Sequence, residues 1–307
     1  MIPIIRLRKL WFAISGILFL GSILSLAVWE LKFGIDFTGG TIQEIHWKYE
    51  RPTGDALRAT FKGKGIDDVV VQNSGERDTI LRFKEIDETK HSDLIDQLKY
   101  DFATKGGGAT EDVLVEQSFS SIGPTIGNEL KTKSYYALAI VLLAIIIYIA
   151  WAFRRVSRPV ASWKYGVAAI IALLHDVVIP TGVFSVLGHF LGYEIDILFV
   201  TGLLTVLGFS VHDTIVVFDR IRENLLKREG SFEEIVNFSV NQTIVRSVNT
   251  SFTVMLVLLA VYFFGGESVH NFTLVLILGV FFGTYSSIFI ASPILVLWHN
   301  LKQRRSR

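Results

Sequence analysis

Apolar residues fall into six long runs along this chain, at roughly 10–31, 135–153, 165–189, 196–218, 244–265 and 271–299, each carrying few charges. A hydrocarbon core about 30 Å thick takes about 20 mainly apolar helical residues to cross. Each run therefore predicts one membrane-spanning helix. The period changes between the first two runs. Thr41–Lys48 alternates as a strand does, and Val69–Asn73, Thr79–Glu85 and Val113–Phe119 read as further strands. Thr53–Lys64 and His91–Lys105 carry helical spacing, the latter through Leu94, Ile95, Leu98 and Phe102 before the glycines at 106–108. The order β-α-β-β-α-β predicts a ferredoxin-like, split βαβ arrangement. The chain thus divides into residues 1–31 (N-terminus and first span), 32–134 (one α+β domain) and 135–307 (spans two to six).

Composition supports the membrane reading and gives it a direction. Half of the 307 residues are hydrophobic and none is cysteine, which removes disulfides, thiolate metal sites and thiol catalysis. The first run exceeds the 7–15 apolar residues of a signal peptide, so an uncleaved anchor is expected. Arg6, Arg8 and Lys9 precede the first span, and Arg154, Arg155, Arg158 and Lys164 separate the second from the third. Arg220, Arg222, Lys227 and Arg228 separate the fourth from the fifth, while Lys302, Arg304, Arg305 and Arg307 follow the sixth. The other short loops, 188–196 and 265–270, hold neither residue type, so both termini are expected on the cytoplasmic side and residues 32–134 outside it. That domain carries 14 Lys/Arg against 18 Asp/Glu, a net charge of −4, and no basic surface is left over for nucleic acid.

Candidate chemistry lies inside the membrane, where ionisable side chains are costly and mark function. The third span holds His175 and Asp176 at mid-depth; the fourth holds Ser210, His212 and Asp213. The fifth opens with Arg246, Ser247, Asn249 and Thr250. Antiparallel spans joined by one loop should bring Arg246 to the depth of Asp213. A carboxylate balanced between burial and a nearby arginine can change protonation as helices move, which makes Asp213 and Arg246 a candidate proton relay; a static ion pair is the competing reading. His212, His175, Asp176 and Asn249 are secondary candidates, as relay members or as helix contacts. Neighbouring helical residues point about 100° apart, so neither His-Asp dipeptide is automatically a pair. No metal site is expected, because no i,i+4 ligand pair is present. Gly279 and Gly283 form a GxxxG contact pattern, and Pro180 is expected to kink the third span. Gly230 followed by Ser231–Glu234 predicts a helix end and a capping box, within a loop read as amphipathic helix on the membrane surface.

One segment remains, FGIDFTGGT at Phe33–Thr41. It lacks the lysine of a phosphate loop. Gly34, Gly39 and Gly40 are expected to allow tight turns, with Asp36 capping them and Phe37 packing beneath the domain. The segment then acts as a structural joint between membrane and domain.

Together with SIGPTIG at Ser121–Gly127, GFSVHDTIVVFDRIREN at Gly208–Asn224 and NQTIVRSVNTS at Asn241–Ser251, that segment resembles the SecF family of protein-export membrane subunits. The resemblance implies half of an RND-type 12-helix assembly whose other half is SecD, with the SecYEG channel, YajC, membrane lipid and the emerging preprotein as neighbours. It implies no enzymatic activity and no cofactor, the energy coming from the proton-motive force. The family's essential aspartate and arginine fall on Asp213 and Arg246; His212 stands where the family often has asparagine. A structural subunit that stabilises SecD without carrying protons, and half of a small-molecule RND-type exporter, remain alternatives.

Overall fold

The apolar runs fold as continuous helices in a computed structural model that describes residues 1–106, 113–153, 161–266 and 269–305. Gly107, Gly108, Arg154, Arg155, Arg158 and Arg307 lie outside the described residues. The chain forms two compact units, Phe33–Lys133 and a membrane unit of Met1–Lys32 with Ser134–Arg307.

In the smaller unit the helix α2 (Ile35–Thr38) is followed by β1 (Gly40–Trp47), α3 (Gly54–Gly63), β2 (Val70–Ser74), β3 (Asp78–Phe83), α4 (Glu88–Gly106) and β4 (Leu114–Ile122). The strands make one antiparallel sheet in the order β2-β3-β1-β4, with a register shift between Glu44 and Ile45. That order and the positions of the two helices are the split βαβ arrangement predicted from the sequence. Thr53 caps α3 by accepting from the Ala56 N–H. One face of the sheet and both long helices share an apolar core built from Ile45, Trp47, Leu57, Phe61, Leu81, Leu98 and Phe102 among others. Two polar side chains of β1 on that face are satisfied. Thr41 meets Ser121 Oγ at 2.9 Å, and Gln43 Oε1 meets His91 Nε2 at 2.8 Å.

The FGIDFTGGT segment forms the single-turn helix α2 where only turns were expected. Its N-cap is Gly34 at φ −75°, a conformation open to any residue, so glycine is not needed there. Gly39 and Gly40, at φ 74° and 129°, do require it. Asp36 sits in the first turn of α2, and Phe37 is buried with its ring edge-on to Phe33. The two glycine motifs of the unit pack on each other. A Cβ on Gly39 would lie 2.7 Å from the Pro124 Cα, and one on Gly127 would lie 2.9 Å from the Gly39 N.

The membrane unit contains α1 (Arg8–Trp29), most of α5 (Pro124–Ala152), α6 (Ser162–Leu191), α7 (Ile197–Lys227), α8 (Phe232–Phe264) and α9 (His270–Ser286). A π-helical stretch, Ser287–Ala291, joins α9 to α10 (Ser292–Arg305) within the sixth span. All six predicted spans correspond to helices long and apolar enough to cross a membrane. The predicted surface helix between spans four and five is absent. Instead α7 and α8 continue through their charged ends to a short turn, where Ser231 and Glu234 complete the expected capping box. Charged residues on the same helical period extend a span as readily as they start a new helix.

Small residues set the closest helix contacts. α7 and α9 run side by side with matched four-residue steps: Gly202 against Val275, Val206 against Gly279, Ser210 against Gly283, and Thr214 against Ser287. The predicted GxxxG face is thus the one that meets α7. Ser22 of α1 fills the place a side chain on Gly182 of α6 would take, 2.6 Å from Cα to that Cβ.

Candidate functional site

Four helices bring their polar residues together inside this bundle. Asp176 on α6 is fully buried, and its Oδ2 accepts from Ser210 Oγ on α7 at 2.5 Å and from Ser286 Oγ on α9 at 2.6 Å. Its Oδ1 lies 2.9 Å from His175 Nδ1. One turn along α7 from Ser210, Asp213 is 8% exposed; its Oδ1 accepts from Ser247 Oγ of α8 at 2.6 Å, and its buried Oδ2 has no hydrogen-bond partner. Thr214 and Ser287 hydroxyls meet at 2.9 Å, and Ser251 pairs with Thr284.

The π-helical stretch helps to build this cluster. An extra residue in the turn lets Ser292 Oγ donate to the Ser287 carbonyl five positions back, at 3.1 Å. Consecutive serines then serve different neighbours, Ser286 reaching α6 and Ser287 reaching α7. Such single-turn π segments are frequent at functional sites.

Hydrogen bonding separates the two carboxylates. A buried charge on a membrane helix costs about 2.5–3.5 kcal/mol on insertion scales, and one hydrogen bond to a charged group returns about 1.5–3 kcal/mol. Asp176 has two serines on one carboxyl oxygen and a histidine on the other. Asp213 is bonded by Ser247 on Oδ1, with the Ser287 hydroxyl beside it and no bonded partner on Oδ2, so fewer donors hold it than hold Asp176. Removing a donor from Asp176 should therefore register as lost stability. Ser210→Ala and Ser286→Ala are each expected to cost about 1–2 kcal/mol, measured as lower thermal stability of the purified protein. No change in either variant would mean that these bonds do not hold the helices.

Sequence-predicted residues divide sharply. His175, Asp176 and Asp213 sit in the cluster, whereas Arg246, Asn249 and His212 lie on exposed helix faces. The predicted Asp213–Arg246 pair is not formed. Arg246 is at the expected depth, but Ser247 and Ser251 turn inward, and the 100° step between neighbours carries Arg246 outward. The same step exposes His212 beside Asp213. By contrast, His175 and Asp176 do pair, because their side chains bend towards each other across that angle. Ser286, Ser287, Thr214 and Thr284 were missed in the sequence reading. The run Thr284-Tyr285-Ser286-Ser287, one step beyond the GxxxG pattern in an apolar span, was the available signal.

The fold and the cluster define a six-span membrane protein with one small α+β domain and a buried carboxylate centre. The family described as "Protein export membrane protein SecD/SecF, C-terminal" matches residues 105–301. The chain is 45% identical to the protein translocase subunit SecF of Thermobaculum terrenum, covering 98% of this chain and 95% of that one. It is 39% identical to that of Anaerolinea thermophila, with the same coverage. A crystal structure of SecDF, a translocon-associated membrane protein from Thermus thermophilus, superposes with a TM-score of 0.78 at 31% identity over 96% of this chain. SecDF in a super-membrane-facing form gives 0.67 at 30% identity over 98%. The chain spans 38% and 39% of those two SecDF chains. This chain belongs to the SecF family of protein translocase subunits.

Proposed function

We propose that the chain is the SecF half of a SecDF-type, RND-like assembly that couples proton flow to movement of its external domain during Sec-dependent export. The observation that carries this reading is Asp213, buried between spans with one carboxylate oxygen bonded to Ser247 and the other open. Such a group binds and releases a proton at little net cost, and the proton-motive force supplies the energy without a cofactor or an enzymatic step. Arg246, Asn249 and His212 face outward from membrane helices, and an arginine in contact with lipid is expensive. A SecD partner with six further spans covers that face and brings Arg246 into the proton path. In this reading both termini are cytoplasmic, residues 32–134 are periplasmic, and SecYEG, YajC and the emerging preprotein are neighbours in the bacterial inner membrane.

The test is reconstitution of the chain with its SecD partner in proteoliposomes under an imposed proton gradient. Proton flux and gradient-dependent stimulation of preprotein translocation are expected, both lost when an ionophore collapses the gradient. Stimulation that persists without a gradient would leave a structural subunit as the better reading.

A further inference from the structure

The cluster holds a second open polar atom, and it is not on Asp213. His175 is 4% exposed, and its Nε2 is buried without a hydrogen-bond partner. Its other nitrogen, Nδ1, faces Asp176 Oδ1 at 2.9 Å. With Asp176 as the acceptor of this bond, Nδ1 carries the hydrogen and Nε2 presents a bare lone pair. The ring lies against Tyr285, 6.0 Å between centroids at 19°, and edge-on to Phe282. A buried acceptor left unpaired costs about 1–3 kcal/mol, whereas a serine or threonine hydroxyl serves each of the other polar groups named nearby. The titratable groups against the ring are Asp176 beside it and Tyr285 on α9, while Asp213 lies one turn along α7 from Ser210. The Tyr285 hydroxyl is engaged by Ser15 Oγ and the Trp11 carbonyl.

We propose that His175 Nε2 is a second proton acceptor of the membrane unit, with Asp176 as its orienting counter-ion. Uptake forms one N–H bond at Nε2 and breaks one O–H bond of a hydronium ion, which leaves as water. The product is an imidazolium next to a carboxylate already held by Ser210 and Ser286, so the pair passes from a net charge of −1 to 0 and no other bond changes. The arrangement is that of a base whose tautomer a buried carboxylate fixes. It adds a second proton-binding group to Asp213, with Ser210 bonded to Asp176 and one turn from Asp213 on α7. This deepens the proton-coupling reading and rests on it for its physiological use, though not for the titration itself.

Nitrogen-15 NMR of the full chain with labelled histidine, assigned by loss of one signal in His175→Gln, tests the proposal. At high pH His175 is expected as the Nδ1–H tautomer, with an imidazolium signal growing in as the pH is lowered. Asp176→Asn should abolish the fixed tautomer. If that variant does not fold, Ser210→Ala with Ser286→Ala should shift the conversion to lower pH by weakening the counter-ion. A His175 that stays neutral throughout, or a His175→Gln complex with the wild-type pH profile of proton flux, overturns the proposal. Asp213→Asn separates the two readings. His175 should titrate in that variant even though flux is gone; flux that persists there defeats the proton-coupling reading while leaving the His175 titration to stand or fall by its own signal.

Discussion

Asp213→Asn is expected to assemble normally and to lose all proton-dependent function. Asparagine has the same shape as aspartate, and its carbonyl oxygen can still accept from Ser247 Oγ, the one bond Asp213 makes across to α8. The helix contacts around it, Ser210 on Gly283 and Thr214 on Ser287, do not depend on the carboxylate. What disappears is the capacity to carry a proton, because an amide does not titrate. Flux and gradient-dependent stimulation of export should fall to the level of membranes lacking the chain, while yield, partner retention and thermal stability stay close to wild type. The removed charge had few hydrogen bonds to offset its burial, so a slight gain in stability is consistent with the same accounting. An Asp213→Asn protein that still gives full gradient-dependent export would end the relay reading, and a collapsed protein would show that the carboxylate holds the helices.

Legibility in the sequence tracked how local the determining interaction is. Spans and strands followed from period and length alone, and the order of the sheet followed from the order of its elements. The depth of Asp213 and Arg246 was also readable, since it needs only rise per residue and antiparallel spans. Their facing was not. Which side of α8 turns inward depends on Ser247 and Ser251 finding partners on α7 and α9, and a sequence shows no partners. The π-helical stretch escaped for a related reason, because its extra residue is stabilised by what Ser286 and Ser287 reach on two other helices. Gly34 takes an extended conformation rather than a left-handed one, which a glycine's presence alone does not reveal.

Gly39 is where a single methyl-bearing substitution should do most damage to the Phe33–Lys133 unit. Its φ of 74° costs a non-glycine residue about 1–2 kcal/mol, and a β-branched one more. The added Cβ would also lie 2.7 and 2.8 Å from the Pro124 Cα and N. Those are backbone atoms, so no side-chain rotation relieves the clash; overpacking of this kind costs a further 1–3 kcal/mol or about that. Gly127 closes the contact from the other side, 2.9 Å from the Gly39 N to its own would-be Cβ, which blocks retreat in that direction. Gly39→Val is therefore expected to destabilise the domain by about 3 kcal/mol or more, a fall of more than about 10 °C in its unfolding midpoint for a unit of this size. Gly16→Ala supplies the control, since a Cβ there meets nothing within 4 Å. Hydrogen exchange across β1, β4 and the start of α5 in the intact protein gives the readout. If Gly39→Val exchanged as slowly as the control and supported wild-type export, the packing of FGIDFTGGT on SIGPTIG would be incidental. Faster exchange at Gly40–Trp47 and Leu114–Ile122, with the membrane helices unaffected, would identify that glycine contact as what holds the sheet to its own two ends.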